Sequence, residues 1–120
     1  MEEKIKNALE VFGFPFMRQG SLSPTEAYPD HFFTYWTDDT AGTGFYDNDE
    51  TCVIWSYSLN FYSINTELVN DMFKIIKGKD TAKSLLRKAG FIVAGAGYDV
   101  ASDEPTHTGR GMTVLYREKL

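Results

Sequence analysis

The fold is decided by two aromatic stretches, HFFTYWT at residues 31–37 and TCVIWSYSLNFYSI at residues 51–64. Both are rich in aromatic and β-branched residues, which fit a pleated, half-buried strand. The second stretch also alternates: its apolar positions are Val53, Trp55, Tyr57, Leu59 and Phe61, and the polar positions between them are Ser56, Ser58 and Asn60. Alternation is expected where one face of a strand packs on a core and the other meets water or a partner. The sequence therefore predicts a long β-hairpin over residues 31–64.

The connection between the two predicted strands combines turn-forming residues with aromatic and acidic ones. Residues 38–44, DDTAGTG, supply the turn chemistry. Ten of the eighteen aromatic residues of the chain lie within residues 31–64, which is more than one core usually requires. We therefore expect part of the hairpin to serve a surface contact, and the candidates at its tip are Asp38, Asp39, Phe45, Tyr46, Asp47, Asp49 and Glu50.

The size and composition of the chain predict one folded domain over residues 1–120. A chain of 120 residues can bury one core without disulfide bonds or metals, and 42% hydrophobic with 24% charged residues is ordinary for a globular protein. No run approaches the ~20 apolar residues of a membrane span, and the start, MEEK, lacks a signal-peptide layout. These features predict a cytoplasmic protein. The single cysteine, Cys52, has apolar neighbours and is predicted to be a buried small residue.

Charge is distributed unevenly along the chain. The net charge of -5 argues against a dedicated nucleic-acid binder, because lysine and arginine supply most of the affinity for phosphates. Residues 19–73 contain no lysine or arginine, whereas residues 74–88 contain six basic residues and one acidic residue. The sequence thus predicts an acidic half and a basic segment, whose contact candidates are Lys77, Lys79, Lys83, Arg87 and Lys88.

The remaining segments predict helices and a second hairpin. Apolar spacing predicts a helix over residues 2–12, a second from Asn65 or Thr66 to Gly78 with Ile75 and Ile76 on its apolar stripe, and a third that Asp80 caps and Gly90 ends. Residues 91–94 and 112–116 are predicted to pair as strands, with a polar loop over 101–109. The predicted class is α+β, an antiparallel sheet of two hairpins with helices on one face, in the order α-β-β-α-α-β-β.

Three short motifs suggest ligand sites, but each has a simpler structural interpretation. The run DNDE at 47–50 lacks the glycine and the later glutamate of a calcium-binding loop, which favours a solvated hairpin tip. His107 has acidic and hydroxyl neighbours on a loop, but neighbours in sequence need not converge on a substrate. The run GAG at 95–97 is followed by no third glycine or helix, which favours a bend in a strand over a dinucleotide site. We predict no metal, cofactor or catalytic site.

The segments FTYW at 33–36, FYDN at 45–48 and SDEPTHTGRG at 102–111 resemble small structural proteins of siphophages and prophages of Gram-positive bacteria. The resemblance is to the tail-terminator or head-to-tail joining class and spans nearly the whole chain in element order. It implies a non-enzymatic subunit of a ring, typically of six copies, that caps the tail tube and meets the head connector. It also implies a place in the virion, after assembly in the host cytoplasm.

The uneven charge fits a ring, since a ring is built from contacts in which one patch meets a different patch on the next subunit. We expect the acidic hairpin tip of one copy to approach the basic segment of its neighbour. A net negative ring would also let DNA pass without holding its phosphates. The alternatives are a small regulatory or ligand-binding module whose aromatic sheet grips a small molecule or peptide, and a small hydrolase that uses His107.

Overall fold

The computed structural model describes residues 2–18, 29–37, 52–93, 95, 97–101 and 105–119. In chain order these residues form α1 (Glu2–Leu9), a 3-10 turn (Glu10–Phe12), β1 (Phe16–Arg18), β2 (His31–Thr37), β3 (Cys52–Ser63), α2 (Thr66–Met72), α3 (Ala82–Lys88), β4 (Ile92–Val93), β5 (Tyr98–Val100) and β6 (Thr108–Lys119). The fold is α+β, as the sequence predicts. None of the described helices has the length and apolar character needed to cross a membrane.

The strands form one mixed sheet in the order β1-β2-β3-β6-β4, and β5 also pairs with β6. The prediction of an antiparallel sheet is wrong at one edge, because β1 runs parallel to β2 with Phe16 opposite Phe33. Parallel neighbours need a crossover of a dozen or so residues, and the chain between Arg18 and His31 provides that length. A short aromatic segment before a long connection can therefore join the sheet in either direction, and sequence alternation does not distinguish them.

The predicted hairpin is confirmed in its strands. The β2 and β3 strands pair antiparallel from His31 opposite Ser63 to Thr37 opposite Tyr57. The other edge of β3 pairs along its whole length with β6, from Cys52 opposite Lys119 to Ser63 opposite Thr108. β3 is therefore central in the sheet. Residues 38–51, which include the predicted tip, lie outside the described residues.

β6 begins earlier than the predicted strand, within the segment predicted to be a polar loop. Its first residues are Thr108, Gly109, Arg110 and Gly111, a pattern that carries no apolar alternation. The two glycines are needed because a Cβ at Gly109 would lie 2.6 Å from the ring of Tyr62. In this half of β6, neighbouring side chains pack directly against the glycines, so the strand shows no apolar alternation.

The three helices pack on one face of the sheet, which we call the covered face. Apolar side chains from α1, α2 and α3 meet those of the alternating strands there, and the predicted core positions Tyr57, Leu59 and Phe61 are buried. Burying one such side chain contributes about 1.5–3 kcal/mol. The largest fully buried side chains of this cluster are Phe33, Tyr57, Phe61, Phe73, Ile5, Leu59, Met72 and Leu86.

The opposite side of the sheet, which we call the far face, has a different composition. The register places Ser56, Ser58 and Asn60 of β3 on it, as the alternation predicts. Its larger side chains include Trp36, Ile92 and Tyr98, which are 49%, 55% and 48% exposed. Phe32 and Tyr62 stack at one end of this face with their ring centroids 5.1 Å apart.

The helix boundaries differ from the predictions at two points. α1 continues as the 3-10 turn to Phe12 and ends at Gly13, whose φ is 69°, as predicted. Asn65 caps α2, but α2 stops at Met72 and does not reach Gly78. The cap of α3 is Thr81 and not Asp80, because the Thr81 side chain accepts from the backbone N–H of Ser84. Both differences arise in the segment between the helices, described below.

Candidate subunit-contact surfaces

The structure describes one of the two predicted contact surfaces. The acidic and aromatic candidates of the hairpin tip, Asp38, Asp39, Phe45, Tyr46, Asp47, Asp49 and Glu50, lie outside the described residues. All five basic candidates are described, and Lys77, Lys79, Arg87 and Lys88 are exposed while Lys83 is half-buried.

The basic residues nearest α2 lie on a short turn over residues 74–79, which we call the basic turn. The backbone N–H of Lys74 donates to the carbonyl of Asp71 at 3.1 Å, which ends α2 in a turn. Ile76 and Lys79 form an isolated antiparallel bridge, closed by the Lys79 N–H donating to the Ile76 carbonyl at 3.2 Å. Gly78 between them has φ of 76°, which glycine adopts at little cost. The segment is therefore a defined turn and not the last part of a helix.

Hydrogen bonds of Thr81 connect the basic turn to the start of α3. Its hydroxyl donates to the carbonyl of Lys74 at 2.6 Å and accepts from the N–H of Ser84 at 3.2 Å. The Ser84 hydroxyl in return accepts from the N–H of Thr81 at 2.9 Å, which completes a capping box. Thr81 is 2% exposed, so its hydrogen bonds are shielded from water. Capping residues of this kind contribute about 0.5–2 kcal/mol.

One carboxylate holds two of the lysines of the turn. Asp71 lies 3.8 Å from Lys74 through Oδ1 and 3.8 Å from Lys79 through Oδ2. All three side chains are at least a third exposed, so each pair contributes no more than about 1 kcal/mol to stability. The carboxylate therefore orients these lysines more than it stabilises the fold.

The other cations of the basic segment lie along α3. Lys83 donates to the carbonyl of Gly95. Arg87 and Lys88 stand in the last turn, where positive charge interacts favourably with the helix dipole. The seven residues of α3 span ~10 Å at 1.5 Å per residue, which separates the two ends. The predicted basic segment is thus two groups of cations at opposite ends of one helix.

Ile75 was predicted to lie on an apolar helix stripe, and that prediction is wrong. Its side chain is 54% exposed in the basic turn, while Ile76 beside it is half-buried. The apolar spacing predicts a buried Ile75 only if the helix continues to Gly78, and α2 ends at Met72. The signal that marks the turn is in the sequence, since two adjacent β-branched residues lower helix propensity and Gly78 in the Lys-Gly-Lys that follows favours a turn.

Both histidines have structural contacts. His107 donates from Nε2 to the carbonyl of Pro29 at 2.8 Å, and its Nδ1 lies 3.1 Å from the Thr106 hydroxyl. His31 Nδ1 lies 2.6 Å from the Ser63 hydroxyl, and its ring packs against Phe14 with centroids 4.9 Å apart. The contacts of His107 join the start of β6 to Pro29, two residues before β2, as a structural residue would.

The glycine pair at 95 and 97 forms a bend, as predicted. β4 ends before it and β5 begins after it, and both strands pair with β6. The φ angles of Gly95 and Gly97 are 74° and 83°. Arg110 donates to the Gly97 carbonyl at 3.3 Å and to the Asp99 carboxylate at 3.1 Å, which holds the bend against β6.

Other candidate sites are limited. Within the described ranges, no group of three or more histidine, cysteine, aspartate or glutamate residues could hold a metal ion. The candidate calcium ligands at 47–50 and the side chain of Cys52 lie outside the description. Desolvation by burial, and then the negative charge of Glu2, raise the pKa of Tyr57 to about 12, which leaves the phenol neutral at physiological pH.

Among the described residues, two grooves offer space for small groups. One, of about 390 Å³, lies between the 3-10 turn and β1, with an apolar floor and with Lys6 and Glu10 at its rim. The other, of about 290 Å³, lies beside β4 and β5 and is lined by residues that include Ile92, Tyr98 and Leu115. Neither contains an ionisable side chain that is fully buried.

Models of known protein families give no match to the chain, and a search of curated protein sequences finds none that is significantly similar.

Proposed function

We propose that the chain is a non-enzymatic structural subunit of a phage tail, of the tail-terminator or tail-completion class. In this role it forms a ring, of six copies by the resemblance, at the head-proximal end of the tail tube and joins the tube to the head connector. The proposal places it in the virion, after assembly in the cytoplasm of a bacterial host. The observation that carries it is the separation of charge between an acidic and a basic segment of one chain. In the basic segment, Lys77, Lys79, Arg87 and Lys88 are exposed.

The geometry of the basic segment supports a contact between copies. A ring requires two different patches on each subunit, each complementary to the other. Lys77, Arg87 and Lys88 are exposed, and within the described part of the chain no carboxylate lies at ion-pair distance from them. The sequence supplies the complement, since residues 38–50 contain five carboxylates and no basic residue. Complementary charge of this kind steers docking and fixes register.

The overall charge suits a conduit for DNA. The net charge of -5 gives a ring of several copies a strongly negative potential, which does not retain a passing polyphosphate. We therefore expect weak DNA binding at ~150 mM salt, where non-specific contacts depend on lysine and arginine. Tight binding in an electrophoretic assay at this salt would contradict a conduit role.

Charge reversal on the basic segment tests the proposed ring. We expect Lys77→Glu combined with Arg87→Glu to reduce assembly measured by light scattering, in the protein alone or with the tail tube protein present. Lys6→Glu is the control, because Lys6 is an exposed cation on α1 outside the basic segment. Assembly that is unchanged by the double reversal would sink the proposed contact. A gene position between capsid and major tail-protein genes would support the phage assignment independently.

The groove beside the 3-10 turn favours a second candidate, a small ligand- or peptide-binding module. Its apolar floor with one cation and one carboxylate at the rim matches the usual makeup of a ligand site. Size separates the two functions, since a ligand module need not form a ring. A stable monomer that binds small apolar molecules, and that loses this binding when Glu10→Trp places a bulky side chain at the exposed rim of the groove, would favour this candidate.

A further inference from the structure

We propose that the basic turn, through its exposed Ile75, is the anchor of the contact between copies, and that its occupant is residues 38–50 of a second copy. The inference rests on the proposed ring and names the surface that forms it. It selects the turn over the far end of α3, because α3 supplies Arg87 and Lys88 but has no exposed large apolar side chain of its own.

Ile75 gives the basic turn an exposed apolar side chain. It is 54% exposed, whereas Ile76 beside it is half-buried. Other large apolar side chains of the described residues are also exposed, Val11 at 67% and Ile92 at 55% among them. Ile75 differs from those two because three lysines lie within four residues of it, at positions 74, 77 and 79.

The turn is held in shape before any partner arrives. Thr81 fixes the carbonyl of Lys74, the Ile76–Lys79 bridge closes the turn, and Asp71 orients the lysines on either side. A surface that is already ordered loses little conformational entropy on binding, which raises its affinity for a given contact area. An apolar side chain on such a surface is the kind of group that carries a large share of an interface's binding energy.

The acidic segment of a second copy matches this surface in both charge and apolar character. Residues 38–50 combine five carboxylates with Phe45 and Tyr46, while the basic turn combines three lysines with Ile75. A DNA backbone would meet the lysines but give Ile75 no apolar partner. Every copy carries both the turn and the segment, so the contact can repeat head-to-tail around the proposed ring.

A matched pair of substitutions tests the anchor. We expect Ile75→Ser to weaken self-association measured by sedimentation equilibrium by at least about tenfold, the loss of an interface residue worth more than about 1.4 kcal/mol. Ile92→Ser removes an isoleucine of nearly equal exposure from the far face and is expected to leave association unchanged. Thermal unfolding of both variants checks that each is folded. Equal association by parent and Ile75→Ser would overturn the inference while leaving the ring intact.

A synthetic peptide of residues 38–50 tests the occupant directly and does not depend on ring formation. We expect it to bind the parent protein in a fluorescence anisotropy titration and to bind Ile75→Ser and Lys77→Glu at least about tenfold more weakly. The same peptide with its five carboxylates replaced by amides is the control. Absence of peptide binding to the parent would overturn the proposed occupant, whereas a parent that binds the peptide but forms no ring would contradict the proposed function alone.

Anionic vesicles are the competing partner for a turn that combines isoleucine with lysines. Vesicles of phosphatidylcholine with phosphatidylserine should not compete with the peptide in the same titration. Sedimentation of the parent with these vesicles, lost in Ile75→Ser, would overturn the inference in favour of a membrane contact. Neutral vesicles distinguish an electrostatic attraction from apolar insertion.

Discussion

The same strands form both faces of the sheet, but the two faces differ in burial and polarity. On the covered face, Tyr57, Leu59 and Phe61 alternate along β3 and are at most 2% exposed. On the far face, the same strand presents Ser56, Ser58 and Asn60. The difference teaches that alternation in a single strand separates the residues of the apolar core from those on the more exposed face. The substitutions below test that separation, from the largest expected effect to the smallest.

Two aromatic residues on neighbouring strands measure the difference between the faces. Phe61 is fully buried and contacts Phe33 with centroids 4.7 Å apart, whereas Trp36 is 49% exposed on the far face. We expect Phe61→Ala to lower the free energy of unfolding by about 3–5 kcal/mol, because it leaves a cavity in the core. Trp36→Ala should lower it by about 1 kcal/mol or less. Urea denaturation measures both values, and comparable losses would show that the far face also stabilises the fold.

The bend between β4 and β5 provides a second matched pair. Gly95 and Gly97 both have left-handed φ, so an alanine at either site costs about 1 kcal/mol in backbone strain. A Cβ at Gly97 would also lie 2.6 Å from the Gly111 carbonyl oxygen, while one at Gly95 would meet no atom within 4 Å. We therefore expect Gly97→Ala to destabilise the protein by about 1–3 kcal/mol more than Gly95→Ala in thermal or urea unfolding.

Equal destabilisation by the two alanines would contradict this packing argument. It would mean that the backbone at Gly111 moves to admit the new Cβ without loss of stability. Backbone conformation alone would then select glycine at both positions. A larger effect at Gly95 could not come from steric contact at that site, since the space beside it is open.

The sequence predicts the core of this fold better than its edges. Alternation identifies β3 and the face it buries, because a period of two is directly visible in the residues. The first half of β6 could not be found in this way, since Gly109 and Gly111 pack through their lack of a side chain. The direction of β1 depends on the path of the connection that follows it, which no local pattern encodes.

The candidate contact surface was predicted in charge but not in geometry. The run of lysines is plain in the sequence, and the structure confirms that Lys77, Lys79, Arg87 and Lys88 are exposed. The sequence does not reveal the hydrogen bond from Thr81 to the carbonyl of Lys74, which holds the turn in which Ile75 is 54% exposed. That bond joins residues seven apart, and helix periodicity does not register such a contact.

The two capping residues extend the comparison of buried and exposed contacts. Thr81 is buried and bonds both the Ser84 N–H and the Lys74 carbonyl, whereas Asn65 is exposed and accepts from the Leu68 N–H at 3.2 Å. We expect Thr81→Ala to cost about 2 kcal/mol and Asn65→Ala about 0.5–1 kcal/mol in urea unfolding. Thr81→Ser retains the hydroxyl and should recover most of the loss. An equal cost at both caps would contradict the second role given to Thr81.

The covered face also makes stability depend on pH in the alkaline range. Burial, followed by the charge of Glu2, raises the pKa of Tyr57 to about 12 from an ordinary value of 10. The unfolded chain then releases the phenol proton near pH 10 while the folded chain retains it, so stability is unaffected below pH 10 and falls between pH 10 and about 12. We expect Tyr57→Phe to lose this part of the pH dependence, measured as the unfolding free energy at pH 9, 10 and 11.

Glu2→Gln separates the charge of Glu2 from the other causes of that shift, which are burial and the neighbouring Tyr35. Removing the carboxylate charge should bring the pKa of Tyr57 part of the way toward its ordinary value and make the loss of stability above pH 10 shallower, because burial and Tyr35 alone then oppose ionisation. A slope that Glu2→Gln leaves unchanged would assign the shift to burial and Tyr35. If Tyr57→Phe leaves the slope of stability against pH unchanged, other groups cause the loss of stability above pH 10. The covered face would then not hold the phenol of Tyr57 neutral.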